Sequence, residues 1–293
     1  MEVLMSGASG LLGPAIAKAL EAEGAVVTRL VRGAATKPNQ ITWEAGKPLT
    51  VSASFDAVIH LAGESVVGRW TEAKKARIRD SRVLGTRTLA EAAARMEKKP
   101  RVMIAASAIG FYGDRGEEVL TENSASGTGF LAEVSREWEA ASEAAERAGV
   151  RVAHIRTGIV LSKSGGALGQ MLLPFRLGLG GRLGSGRQWM SWIHIDDEVE
   201  AVRFVLRKDS VSGPVNFTAP NPVTNAEFTT ALGKALSRPA IFPVPAFALR
   251  LAFGQMADEA LLASARVLPE RLLGSGFDFR FRELGPALAN LLG

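Results

Sequence analysis

The segment Gly7-Ala-Ser-Gly10-Leu-Leu-Gly13 lies between a short apolar run and a helical one, and its spacing suits a pyrophosphate. The first glycine allows a tight turn with positive φ. The second lets backbone N–H groups come close to a phosphate, and the third lets the helix pack on the strand. Ser9, Leu11 and Leu12 share this loop. The helix after it would turn unpaired N–H groups and a partial positive charge toward the anion. Placement between strand and helix gives the pattern its weight, since glycines alone carry little.

The next apolar run ends Thr28-Arg29-Leu-Val-Arg32-Gly33. A dinucleotide whose ribose carries a free 2′-hydroxyl usually meets an Asp or Glu here. No acid is present. A carboxylate would repel a 2′-phosphate, whereas a guanidinium binds one in a bidentate way. Arg32, assisted by Arg29, therefore points to NADP(H) rather than NAD(H). The rest of the chain excludes other chemistries. There is no cysteine, which rules out disulfides, thiolate zinc sites and cysteine nucleophiles. His60, His154 and His194 show no metal-ligand spacing, and His194 with Asp196 and Asp197 reads as a helix start capped by Asp196. No metal is expected.

The elements that would position these residues follow from periodicity. Glu2 to Met5 reads as a strand, Leu11 to Glu23 as a helix ended by Gly24, and Ala25 to Val31 as a buried parallel strand. Ile41 to Trp43, Asp56 to Leu61, Arg101 to Ala106 and Val150 to Ile155 read as further strands. Thr71 to Met96 and Gly129 to Ala148 read as long helices between them. Such alternation implies a parallel sheet with right-handed crossovers. Beyond it come the glycine-rich stretch Ser164 to Gly186, a strand over Trp189 to Ile195, and a helix over Asp196 to Leu206. Thr224-Asn-Ala-Glu227 is a capping box opening a helix to Leu236.

The 293 residues, 47% of them hydrophobic, suffice for a nucleotide-binding domain and a smaller second lobe. The net charge of +5 is spread over scattered arginines without interleaved aromatics, so no nucleic-acid partner is expected. No run is long and apolar enough for a membrane span, and no basic, cleavable leader is seen, so a cytoplasmic monomer or homodimer is expected.

Together these motifs resemble the extended short-chain dehydrogenase/reductases, in their epimerase/dehydratase branch. Beyond the glycine loop, His60-Leu-Ala-Gly63 matches the strand-end loop beneath the adenine ribose, and Ser107 to Gly113 the serine-rich segment ending Tyr-Gly. Arg156-Thr-Gly-Ile-Val160 matches the segment beside the nicotinamide, and Trp192-Ile-His-Ile-Asp196-Asp197 the entry to a late helix. Phe130-Leu-Ala-Glu-Val, Gly184-Ser-Gly-Arg-Gln-Trp189, Pro243-Val-Pro-Ala-Phe247 and Arg266-Val-Leu-Pro-Glu270 look like an atypical subgroup, the epimerase family proteins with a distinctive C-terminal extension.

The resemblance implies an α/β, Rossmann-type doubly wound parallel sheet with a smaller C-terminal substrate lobe. Residues 1–163 and 188–218 would form the NADP-binding domain, and 164–187 with 219–293 the lobe. It adds Leu61, Ala62, Gly63, Glu64, Ala106, Ser107, Gly158, Ile159 and Val160 to the expected cofactor contacts. It also implies an oxidoreductase or epimerase acting on a small carbonyl or sugar-derived substrate.

One departure stands out. Such enzymes move protons with a Ser/Thr and a Tyr-x-x-x-Lys pair on one helix. Tyr112 is the only tyrosine, and it belongs to the earlier Tyr-Gly segment. Leu131 falls in the tyrosine position, Ser135 in the lysine position and Ala108 in the serine position. Ser107 and Tyr112 are the remaining proton-handling candidates. A catalytically silent NADP(H)-binding sensor is the alternative expectation.

Overall fold

The computed structural model describes residues 1–51 and 53–293. The chain runs β1 (Glu2–Ser6), α1 (Gly13–Ala22), β2 (Val26–Val31), β3 (Gln40–Thr42), β4 (Ala57–His60), α2 (Glu72–Arg95) and β5 (Val102–Ala108). It continues through β6 (Val119–Leu120), α3 (Phe130–Ala140), α4 (Glu143–Arg147), β7 (Arg151–Thr157), β8 (Ile159–Leu161) and α5 (Gly166–Arg176). Then come β9 (Trp189–Met190), β10 (Trp192–His194), α6 (Ile195–Arg207), β11 (Gly213–Phe217), β12 (Val223–Thr224) and α7 (Asn225–Ala235). The chain ends with α8 (Ala246–Phe253), β13 (Arg266–Val267), α9 (Glu270–Gly274) and α10 (Leu284–Leu292).

The central sheet has seven strands in the order β11-β7-β5-β4-β1-β2-β3, and every pairing in it is parallel. This is the doubly wound Rossmann arrangement expected from the sequence. Its strands are apolar on both faces because both faces are covered; β4 (Ala57–His60) is buried throughout. One apolar cluster joins the sheet to α1 and α6, and a second joins it to α2 and α4. Strand order reverses at β1, between β2 and β4, and the crevice at that switch point is where such sheets bind ligands.

The third cluster packs α5, α7 and α10 into a lobe beside the sheet. The C-terminal segment is stitched back onto the sheet domain. β13 pairs with β6, and the Asp197 carboxylate at the start of α6 accepts the amides of Arg280 and Phe281, both at 2.9 Å. The capping box at Thr224 and Glu227 is present. Thr224→Ala is expected to cost about 1 kcal/mol, read as a lower denaturation midpoint at unchanged slope.

Three local expectations are corrected. The stretch Gly129 to Ala148 is two helices, because the Ser142 hydroxyl bonds the Glu139 carbonyl (2.9 Å) and His154 Nε2 (2.8 Å) where the ladder would continue. Trp189 to Ile195 is two short strands outside the main sheet, with Ser191 between them held by Ala265 and Val267. His194 rather than Asp196 caps α6: its Nδ1 accepts the Asp196 amide at 3.0 Å, and its ring stacks on Phe281.

Candidate functional site

The switch-point crevice opens into a cleft of about 690 Å³, walled by the glycine loop, the end of β2 and the loop after β4. Gly7 sits at φ +73°, and a Cβ there would lie 2.6 Å from the Leu61 carbonyl carbon, so no other residue fits. Gly13 is pressed equally hard onto the Gly7–Ala8 backbone. Gly10 is different. A Cβ there would meet only the Gly7 carbonyl oxygen, at 3.4 Å, with open space beyond. The bare protein would tolerate a side chain at Gly10, so the need for glycine comes from whatever enters the cleft. α1 begins behind this loop with no side-chain cap and no acid in its first turn. Its N–H groups are left for an anion. Ser9 lines the cleft with the loop, while Leu12 packs on the core and Leu11 turns toward Gly165 and Gly166.

At the other wall, the two arginines of β2 differ. Arg29 is committed to α1: Nη2 meets Glu21 Oε1 at 2.6 Å, and Nη1 donates to the Val27 carbonyl. Arg32 lines the same cleft, is exposed, and makes no ion pair among the described residues. The one acid among the residues lining this cleft, Glu44, is itself paired with Lys47 at 2.7 Å. Leu61, Ala62 and Gly63 form the floor. Glu64, expected with them, turns toward α2 instead. Its carboxylate takes Lys74 Nζ at 2.7 Å, which holds it below the usual carboxylate range, and its carbonyl accepts Arg82 Nη1 at 2.9 Å. Arg82 is stacked over Trp138, and burial lowers it to about 10. His60, just before the floor, is fully buried with Nδ1 2.5 Å from Ser6 Oγ. Burial, then Arg82, lowers it to about 3, so it is neutral and positions the loop.

A second, more apolar cavity of about 230 Å³ lies past the ends of β5 and β7. Gly158 and Ile159 line it, and so do Thr157, Leu131, Met171 and Glu259. Val160 packs on the sheet core, as does Ala106. Glu259 comes from the C-terminal segment and accepts the amides of Phe130 (3.1 Å) and Leu131 (2.8 Å) at the start of α3. Leu131, which falls in the position where the resemblance leads one to expect a tyrosine, is an aliphatic part of this wall, and Ser135 is buried.

The two proton-handling candidates do not reach this cavity. Ser107 is 4% exposed, and its hydroxyl donates to Glu139 Oε1 at 2.7 Å. Tyr112 is 0% exposed; it donates to Asn216 Oδ1 at 2.7 Å and accepts from Arg156 Nη1 at 3.0 Å. Arg156 in turn makes a fork to Glu139, with both contacts at 2.8 Å. These groups form one internal network that fixes the end of β5 to β7 and β11. Burial raises the Tyr112 phenol, Arg156 opposing, so it is not primed to ionise. Sequence reasoning overlooked two residues here. Thr157 lines the cavity, and Glu198 on α6 sits behind it, 0% exposed. A signal for Glu198 existed: it shares the apolar face of α6 with Ala201, Val202 and Val205.

Among the described residues no group of three His, Cys, Asp or Glu is placed to hold a metal ion, and no helix is long and apolar enough to cross a membrane.

Comparison with known proteins shows the family and the fold. Residues 3–217 match the NAD dependent epimerase/dehydratase family, and residues 244–291 match a domain of unknown function, DUF1731. An epimerase family protein of Mycobacterium bovis, Mb2239, is 45% identical over 291 residues, covering 98% of this chain and 96% of its own. The crystal structure of the human epimerase family protein SDR39U1 (isoform 2) with NADPH superposes with a TM-score of 0.90 at 35% identity, covering 100% of this chain and 99% of that one. A structure described as a nucleoside-diphosphate sugar epimerase from Corynebacterium glutamicum gives 0.83 at 39% identity, covering all of this chain and 58% of that one.

Proposed function

Because the chain belongs to the NAD dependent epimerase/dehydratase family, as one of its epimerase family proteins with a DUF1731 extension, we propose that it binds NADP(H) and acts on a small carbonyl or sugar-derived substrate. The single observation that carries the reading is the pairing of the uncapped α1 start with exposed Arg32 across one cleft. The glycine loop and α1 amides hold the pyrophosphate. Arg32 holds the 2′-phosphate, and Arg29 supports the β2 end from its pair with Glu21. Leu61, Ala62 and Gly63 carry the adenine ribose, and Gly158 and Ile159 lie beside the nicotinamide. The crystallisation of human SDR39U1 with NADPH supports the same reading. When bound, NADP(H) exchanges a hydride with a carbon centre of the substrate.

Residues 1–163 and 188–218 serve as the cofactor domain in this reading. Residues 164–187 and 219–293 form the substrate side, with Met171 and Glu259 at the cavity wall. A silent NADP(H) sensor is the second reading, and the aliphatic Leu131 at that wall favours it. Titration with NADPH and NADH, followed by tryptophan fluorescence, tests the first step, since Trp43 lines the cleft. NADPH is expected to bind more tightly. Equal affinity would remove the 2′-phosphate argument, and a cleft that bound neither would remove the whole reading.

A further inference from the structure

Glu198 is a carboxyl group with no ionic partner in the interior of the sheet domain. It is 0% exposed, and its Oε2 has no hydrogen-bond partner among the described residues. Its one side-chain hydrogen bond among the described residues comes from Thr157, whose hydroxyl donates to Oε1 at 2.9 Å and also lies 3.4 Å from the Ile155 carbonyl. Thr157 is the last residue of β7, half-buried, and lines the smaller cavity. The neighbouring titratable groups are turned elsewhere. Asp197 bonds the amides of Arg280 and Phe281, His194 caps α6, and Asp196 lies 3.6 Å from Arg280 Nη1. From the sheet and α3, Ser107, Arg156 and Glu139 satisfy one another. An isolated carboxylate in such a place would cost far more than an isolated acid.

We propose that Thr157, backed by the buried carboxyl of Glu198, is the group that exchanges a proton with the substrate in the smaller cavity, in the role that Tyr-x-x-x-Lys fills elsewhere in the superfamily. Glu198 is a positioning residue that acts through the threonine hydroxyl. Burial raises it to about 8, the Thr157 hydrogen bond opposing, so near neutrality it carries its proton. The Thr157 hydroxyl donates to Oε1 of the ionised form; the protonated carboxyl can donate to Thr157 Oγ1 in return, and the threonine O–H is then shared between the Ile155 carbonyl, 3.4 Å away, and the cavity that Thr157 lines. In carbonyl reduction the substrate carbon gains a hydride and its C=O π pair moves onto oxygen. That oxygen takes the Thr157 proton, and Thr157 takes the Glu198 proton. The resulting Glu198 carboxylate recovers a proton from water. The carbonyl is reduced as the dinucleotide is oxidised, and in the reverse direction each transfer runs backwards.

The inference rests on the NADP(H) reading, and its test separates the two. Carboxyl resonances of ¹³C-glutamate-labelled protein are followed through a pH titration with NADPH bound and again with NADP⁺ bound. Cofactor fluorescence or competition reports binding in the same samples. Absence of binding sinks the cofactor reading and this inference with it. With binding established, one resonance, missing in Glu198→Gln, is expected to titrate near 8. Its midpoint should fall by about one unit when the positively charged oxidised ring replaces the reduced one. Thr157→Val should raise the midpoint, because the bond that favours the carboxylate is lost. A midpoint in the ordinary carboxylate range, or one indifferent to the cofactor's oxidation state, overturns the assignment. Overturning also follows if Thr157→Val leaves it unmoved. A conventional rate profile with phenanthrenequinone as carbonyl probe adds a kinetic arm. Reduction by the wild type is expected to decline above the Glu198 midpoint, and reduction by Glu198→Gln is expected to lack that limb. The same limb in both proteins contradicts the proposal.

Discussion

Arg32→Asp is expected to invert the cofactor preference, weakening NADPH by about 100-fold or more and leaving NADH within a few-fold of the wild type. Nothing else in the cleft can take over. Arg29 is occupied by Glu21 at 2.6 Å, and no further guanidinium lines that wall. The substitution also places a carboxylate where the 2′-phosphate would lie, so an attraction becomes a repulsion. It leaves the glycine loop untouched, which is why NADH is the internal control. Arg32 is exposed, so its contribution is screened by salt. Raising ionic strength should erode NADPH affinity faster than NADH affinity in the wild type and affect the two more nearly alike in the variant. Paired fluorescence titrations at two salt concentrations measure all of this. A variant that still preferred NADPH would place the 2′-phosphate elsewhere.

The geometry of the glycine loop was readable because its requirements are local. A strand, a glycine turn and a helix are neighbours in sequence, and Gly7 and Gly13 are fixed by steric demands that only glycine meets. The parallel sheet followed from the same alternation, since strands joined by helical crossovers have few permitted topologies. The role proposed for Arg32 rests on a different ground: the strand end lacks an acid, and the chemistry of a phosphate limits what can replace one.

The chemical half was not readable in the same way, because its roles are set by distant contacts. Ser107 and Tyr112 have the right residue types at the right strand end, yet both hydroxyls are consumed by Glu139, Arg156 and Asn216, residues up to 104 positions away. Glu198 reads in sequence as one more acid in the first turn of a capped helix, beside Asp196 and Asp197. Its position on the face of Ala201, Val202 and Val205 was the clue, but only the packed fold shows Thr157 opposite it. Glu64 shows the converse. It stands in a cofactor motif, and Lys74 and Arg82 of α2 draw it away.

Burial of His60 and Glu198 should also shape stability against pH, with opposite signs. His60 titrates at about 3 in the fold against 6.5 in the open chain. Between those values the unfolded chain holds an extra proton, so this group makes stability rise with pH. Glu198 titrates at about 8 in the fold against 4.5 in the open chain. Between those values the folded protein holds the extra proton, so this group makes stability fall as pH rises. Each slope is about 1.4 kcal/mol per pH unit. They oppose one another between 4.5 and 6.5, and above 6.5 the Glu198 descent stands alone until about 8. Glu198→Gln cannot ionise and should lose that descent. Its stability relative to the wild type should climb from pH 4.5 to about 8 and then level off, by on the order of a few kcal/mol. Any pH-independent cost of the amide shifts that difference curve without tilting it. Urea denaturation midpoints of the two proteins across this range supply the curve. A level difference would mean that Glu198 is ionised in the fold, against everything its surroundings favour.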